Sequence, residues 1–209
     1  MSLYHGTKFG FVQSAVYDQM GVSLEGRLAN ASDINLCDAV SVGETNGIGV
    51  GLGVVVSALS GAIKPGINAL ELKLPTGTST AADFAGILVR TDTGRTDADG
   101  NNYMGNKEIG TLLRSNRVGG RIWIKAQDAV TAGSPLHWVI ADTASSGKKI
   151  GGFVGTAVAN DTVELKGVKV LTSASAGELA LIELGIETDT TYTAGTGIEI
   201  SDANVISAS

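Results

Sequence analysis

Few side chains in this 209-residue chain have the type and spacing that chemistry requires. The first candidate is the run Gly47-Ile48-Gly49-Val50-Gly51-Leu52-Gly53, which invites comparison with phosphate-cradling loops. A dinucleotide fingerprint needs G-x-G-x-x-G, but Gly49 and Gly51 lead to Val54 where the third glycine belongs. A Walker loop needs Gly-Lys-Ser/Thr, and no such triplet occurs. Strict alternation of glycine instead predicts a strand with one bare face, against which a backbone or an aromatic ring lies close. Asp97-Ala98-Asp99-Gly100-Asn101 resembles part of a calcium loop, but an EF-hand glycine at position six puts Arg95 at position one, which rules out that motif. A looser loop-bound cation near Asp97 and Asp99 stays open beside the simpler reading of a solvated turn. For a nucleophile, Gly21-Val22-Ser23-Leu24-Glu25-Gly26 is one residue too long for G-x-S-x-G, and nothing local supports a Cys37–His137 pair. One cysteine excludes an intrachain disulfide, and Cys37 reads as a small buried hydrophobe. No catalytic residue, metal ligand or cofactor is expected.

Binding residues stand out more clearly. Lys107, Arg114, Arg117, Arg121 and Lys125 place five of the 15 basic residues within 19 positions, with Trp123 among them. Such interleaving fits single-strand nucleic-acid binding, an Arg-rich contact with an acidic protein, or an exposed strand face. The net charge of −6 argues against a nucleic-acid partner. A second cluster is the aromatic start of the chain, where Tyr4, Phe9, Phe11 and Tyr17 supply four of ten aromatics.

The elements that position these residues are short strands. With 29 glycines the chain carries roughly twice the usual share of about 7%, and charged residues make up only 17%. That composition excludes disorder, collagen and coiled coil. Apolar runs bounded by turn residues predict strands at 36–42, 48–58, 69–74, 84–90, 121–126, 136–140, 150–157, 167–171 and 179–184. Helical periodicity is weak, its best candidates falling near 109–115 and 11–20. Residues 91–106 read as a long polar loop and 185–197 as a linker before a small terminal hairpin. The uncharged stretch 45–63 is broken by glycines and is read as buried strand, not a membrane span. The first residues have no apolar core of signal-peptide type. Many strands with regular turns predict an all-β antiparallel sandwich or barrel.

The order of several segments between Leu24 and Leu184 resembles the cement, or decoration, proteins of tailed-phage capsids. The segments are Leu24-Glu25-Gly26-Arg27-Leu28-Ala29, Gly51-Leu52-Gly53-Val54-Val55-Val56, Leu72-Lys73-Leu74-Pro75 and Asp83-Phe84-Ala85-Gly86-Ile87-Leu88-Val89-Arg90. They continue with Gly119-Gly120-Arg121-Ile122-Trp123-Ile124, Ala129-Val130-Thr131-Ala132-Gly133-Ser134-Pro135-Leu136 and the closing 170–184. The resemblance implies a jelly-roll-like, non-enzymatic virion protein on the outer capsid surface, made in the host cytoplasm, which bridges capsomers and stabilises the head. Its implied partners are the major capsid protein and itself, as a homo-dimer or homo-trimer, with no membrane and no small-molecule substrate. The chain then divides into an N-terminal arm (1–20), a β-rich decoration domain (21–185) and a linker with terminal hairpin (186–209). Tyr4, Phe9, Phe11, Tyr17, Arg114, Arg117, Arg121 and Trp123 are the candidate contacts with capsid or subunits. The alternative is a receptor- or carbohydrate-binding module of a head appendage or fibre, with Trp123 and Trp138 stacking on sugars.

Overall fold

The computed structural model describes residues 24–29, 36–41, 44–57, 70–90, 95–96, 102–116, 119–143, 146–185, 198–200 and 206–208. It is all-β apart from one 3-10 turn, Ala81–Asp83. The strands are β1 (Leu36–Ser41), β2 (Ile48–Gly49), β3 (Gly53–Ser57), β4 (Leu70–Lys73), β5 (Gly86–Val89), β6 (Arg95–Thr96), β7 (Asn102–Met104) and β8 (Ile109–Arg114). They continue with β9 (Gly120–Lys125), β10 (His137–Val139), β11 (Phe153–Val154), β12 (Thr162–Glu164), β13 (Val168–Val170), β14 (Leu179–Leu184), β15 (Ile198–Ile200) and β16 (Ile206–Ala208).

Five strands close a barrel in the order β1-β4-β3-β5-β8. All its pairs are antiparallel except β1–β4, which is parallel and departs from the purely antiparallel expectation. Smaller sheets surround it in the orders β11-β10-β12, β13-β14-β9 and β2-β7-β6, and β15 pairs with β16.

Side-chain alternation explains the barrel. Val54, Leu72, Leu88 and Leu112, one from each of four barrel strands, pack together with Ile48, Leu52 and Met104. Their neighbours Ile87, Val89 and Leu113 point the other way, into a second core with Ile122 and Ile124 of β9, Trp138 of β10, Phe153 of β11 and Ile182 of β14. Strand β5 (Gly-Ile-Leu-Val) is buried at every position because both its faces are covered, whereas β9 and β14 alternate because one face meets solvent.

Two expectations fail here for physical reasons. Residues 109–115 are not helical. They form the barrel strand β8, paired with both β1 and β5. The polar stretch 91–106 contains the short strands β6 and β7, which pair with each other and with β2. The helix candidate at 11–20 lies outside the described residues.

The glycine run behaves partly as its alternation predicts. It is not one strand, since Gly51 adopts φ +79° and turns the chain between β2 and β3. The bare face is real at Gly53. A methyl group added there would lie 2.6 Å from Trp138 Nε1 and 2.8 Å from Phe84 Cε2. Phe84 meets Trp138 edge-on with ring centroids 5.1 Å apart, and Phe153 at 6.3 Å. The Gly53 amide also donates to the Gly151 carbonyl at 2.7 Å, joining barrel and satellite sheet through backbone.

Residues 24–29 run beside β9. The Gly26 amide donates to the Trp123 carbonyl (2.7 Å), and the Trp123 amide to the Arg27 carbonyl (3.0 Å). This path carries the Glu25 side chain against Gly51, where any side chain on residue 51 would collide with Glu25 Cγ. Burial pushes the Glu25 carboxyl above its ordinary value of 4.5, against the opposing pull of Lys125, Lys149 and Arg90 and a hydrogen bond from the Lys125 amide.

Two outcomes are expected. Gly53→Ala forces Trp138 and Phe84 apart and costs about 1–3 kcal/mol of overpacking, read as a fall in Tm of roughly 2–4 °C per kcal/mol. An unchanged Tm means the seam has slack. Because the folded chain holds the Glu25 proton more tightly than the unfolded chain, that stability is fully present below about pH 4.5 and is lost as pH rises through the raised folded value. Glu25→Gln therefore gains on the wild type as pH climbs from 4 to 7 in denaturant titrations. A gap that does not change with pH removes the assignment.

Candidate functional site

The outer face of the β13-β14-β9 sheet follows from its register. Arg121, Trp123 and Lys125 alternate with the buried Ile122 and Ile124 on β9. Opposite them on β14 stand Glu183, Leu181 and Leu179, in the pairs Arg121–Glu183, Trp123–Leu181 and Lys125–Leu179. Lys169 of β13 pairs with Glu183. On the far side Leu28 bridges to Ile122 and packs on the core, which leaves the neighbouring Arg27 exposed on the outer side. Trp123 and Leu181 are half-buried between flanking cations. Arg121 Nε donates to Glu183 Oε2 at 3.0 Å.

The face therefore carries four cations, Arg27, Arg121, Lys125 and Lys169, against the Glu183 carboxylate among the described residues. Only Arg121, Trp123 and Lys125 could be foreseen from local alternation. Arg27 and Lys169 arrive from distant parts of the chain, and no local spacing marks them.

Lys107 and Arg114 of the basic cluster lie away from this face. Lys107 sits in the turn between β7 and β8 at φ +61°. Arg114 ends β8 on the barrel, where it lines a cleft of about 700 Å³ with Val56, Asp83, Ser115 and Asn116. At the rim of that cleft the Thr80 amide and hydroxyl donate to Asp83 Oδ2 (2.8 and 2.9 Å) and hold its carboxyl below the ordinary value. Arg117, Tyr4, Phe9, Phe11 and Tyr17 lie outside the described residues, as do Asp97 and Asp99.

The sugar-stacking role of Trp138 is overturned, because that ring is fully buried in the core. Cys37 lies on barrel strand β1 in register with Leu112, and His137 lies on β10 opposite Val154 and Glu164. Among the described residues no group of three His, Cys, Asp or Glu side chains is placed to hold a metal ion. Among the described residues no helix is long and apolar enough to cross a membrane.

A second hollow, about 290 Å³, adjoins the sheet face at Lys125 and is bounded by Glu25, Gln127, Lys148 and Lys149. Lys148 is tied to Asp128 at 3.3 Å, and the Gln127 side chain spans the Lys149 backbone, accepting at 2.6 Å and donating at 2.9 Å. These bonds fix the 146–149 loop beside the face.

Comparison with known proteins bears on the fold and the family. A chain in the solved capsid of Myoviridae phage XM1 has a similar fold, with a TM-score of 0.56 and 17% identity over 81% of this chain and 94% of that one. No curated protein matches. The family model for structural cement protein (E217 gp24/Pam3 gp6) matches residues 12–185, most of the chain. The chain belongs to the phage structural cement protein family.

Proposed function

We propose that the chain is a non-enzymatic cement subunit that binds the outside of a phage capsid, bridges capsomers and stabilises the head. The match to the structural cement family over residues 12–185 carries this reading. The surface chemistry supports it. An acidic exterior repels packaged DNA and suits the outside of a shell. Trp, Arg and apolar side chains grouped on one sheet face suit a protein contact.

In this reading the partners are the major capsid protein and further copies of the chain. Residues 21–185 form the decoration domain, residues 1–20 an arm and residues 186–209 a tail. The arm acts as a strap, with Phe9, Phe11 and Tyr17 as anchors and its backbone adding to a neighbour's sheet edge. Arg114, Arg117, Arg121 and Trp123 contribute contacts with shell or subunit.

Purified chain mixed with undecorated capsids is expected to bind saturably and to raise the temperature at which the heads rupture. Absence of saturable binding sinks the proposal. Removal of residues 1–20 should weaken shell binding by at least about tenfold while leaving the Tm of the isolated chain nearly unchanged. Equal loss of folding and binding contradicts the strap.

A further inference from the structure

The acidic C-terminal tail has features that the decoration domain alone does not explain. The family match ends at residue 185 and leaves residues 186–209 outside it. From Val170 to the last residue there is no Lys or Arg, and the tail itself carries Glu187, Asp189, Glu199 and Asp202. Among the described residues β15 and β16 pair only with each other. A lone two-stranded hairpin is marginally stable in water, so this one needs a surface.

The β13-β14-β9 face has the matching character. Arg27 and Lys169 flank it, Arg121 and Lys125 lie between them, and Trp123 and Leu181 provide an apolar strip. The geometry points to an interface in which the tail of one copy docks on the β13-β14-β9 face of a second copy. Ile198, Ile200 and Ile206 supply apolar residues for the strip, and Glu199 and Asp202 meet the flanking cations.

The linker favours a second copy over the chain's own face. The tail leaves from the end of β14, which lies in this very sheet, so folding back needs only a connection of about 4–6 residues. Residues 186–197 provide 12, enough when extended to reach roughly 40 Å. The contact is heterologous, tail to face, so successive copies can link around a symmetric assembly.

This inference deepens the cement reading and rests on it for the presence of neighbouring copies. It is tested without capsids, by the solution mass of the full chain as a function of concentration. Three variants accompany it: a chain ending at residue 185, the face variant Arg27→Glu with Lys169→Glu, and the tail variant Glu199→Lys with Asp202→Lys. The full chain is expected to self-associate, and each variant to do so at least about tenfold more weakly. Mixing the face and tail variants restores association, because a reversed tail then meets a reversed face.

A monomeric full chain overturns the inference, as does association indifferent to tail removal or a mixture that stays apart. So does a chain carrying all four reversals that is folded but monomeric, since the tail then docks on its own face. If the face variant fails to fold by circular dichroism, Lys169→Glu alone serves in its place. Shell binding measured in parallel separates the two readings. Binding without self-association removes only this inference, and self-association without shell binding removes only the cement role.

Discussion

The approach of Trp138 to Gly53 is the constraint from which the rest of the architecture follows. Strand β3 must close a barrel through its hydrogen bonds and also press one side against an indole ring. A Cβ at residue 53 would stand 2.6 Å from Trp138 Nε1, so the ring can occupy that space only above a bare backbone. The Gly53–Gly151 hydrogen bond then locks β3 to the chain leading into β11. Trp138 Nε1 is buried with no partner among the described residues, a cost of about 1–3 kcal/mol. A buried indole brings some 150–250 Å² of surface and edge-on ring contacts, which outweigh that cost. One aromatic thus fuses the barrel exterior and the satellite sheets into a single core, and the barrel strands gain a second buried face.

That second face decides what could be read from the sequence. Strands β9 and β14 were legible because one side meets water and the other does not, leaving a clean period of two. Strand β8 was not. Leu112 points into the barrel and Leu113 into the shared core, so Ile109, Leu112 and Leu113 take an i, i+3, i+4 spacing that imitates a helix. The glycine run signalled its bare face by composition, but the break at Gly51 depends on a positive φ that alternation does not encode. On the outer face of the β13-β14-β9 sheet, Arg121, Trp123 and Lys125 were visible as neighbours on one strand. Arg27 and Lys169 were not, because Arg27 reaches the face by pairing with a strand about ninety-five residues away and Lys169 through the β13–β14 register, and neither register leaves a local trace.

The charge distribution acquires meaning in the same way. A net charge of −6 describes the chain as a whole, but the strand register gathers four cations around Trp123 with the Glu183 carboxylate between them. Glu183 sits among the cations, bonded to Arg121 at 3.0 Å. An exposed pair of this kind contributes about 0–1 kcal/mol to folding, so the fold depends little on it. Glu25 shows the opposite arrangement. It lies beneath the edge of the face against Gly51, where burial works against its charge.

A protein bound in many copies to a symmetric shell does not need each contact to be strong. Linked contacts multiply, and avidity can exceed single-site affinity by about 10²–10⁴ without any new interaction. What each contact must supply is orientation, and complementary charge gives specificity more than it gives raw affinity. The structure separates these demands. Stability comes from the Gly53–Trp138 seam and the two apolar clusters, none of which faces solvent. The exposed sheet carries charge and a half-buried aromatic strip that the core does not require. The surface can then be tuned to a partner by substitution at Arg27, Arg121, Lys125 or Lys169 without reopening the packing beneath, because the alternation that exposes these side chains is the same alternation that buries Ile122, Ile124 and Ile182.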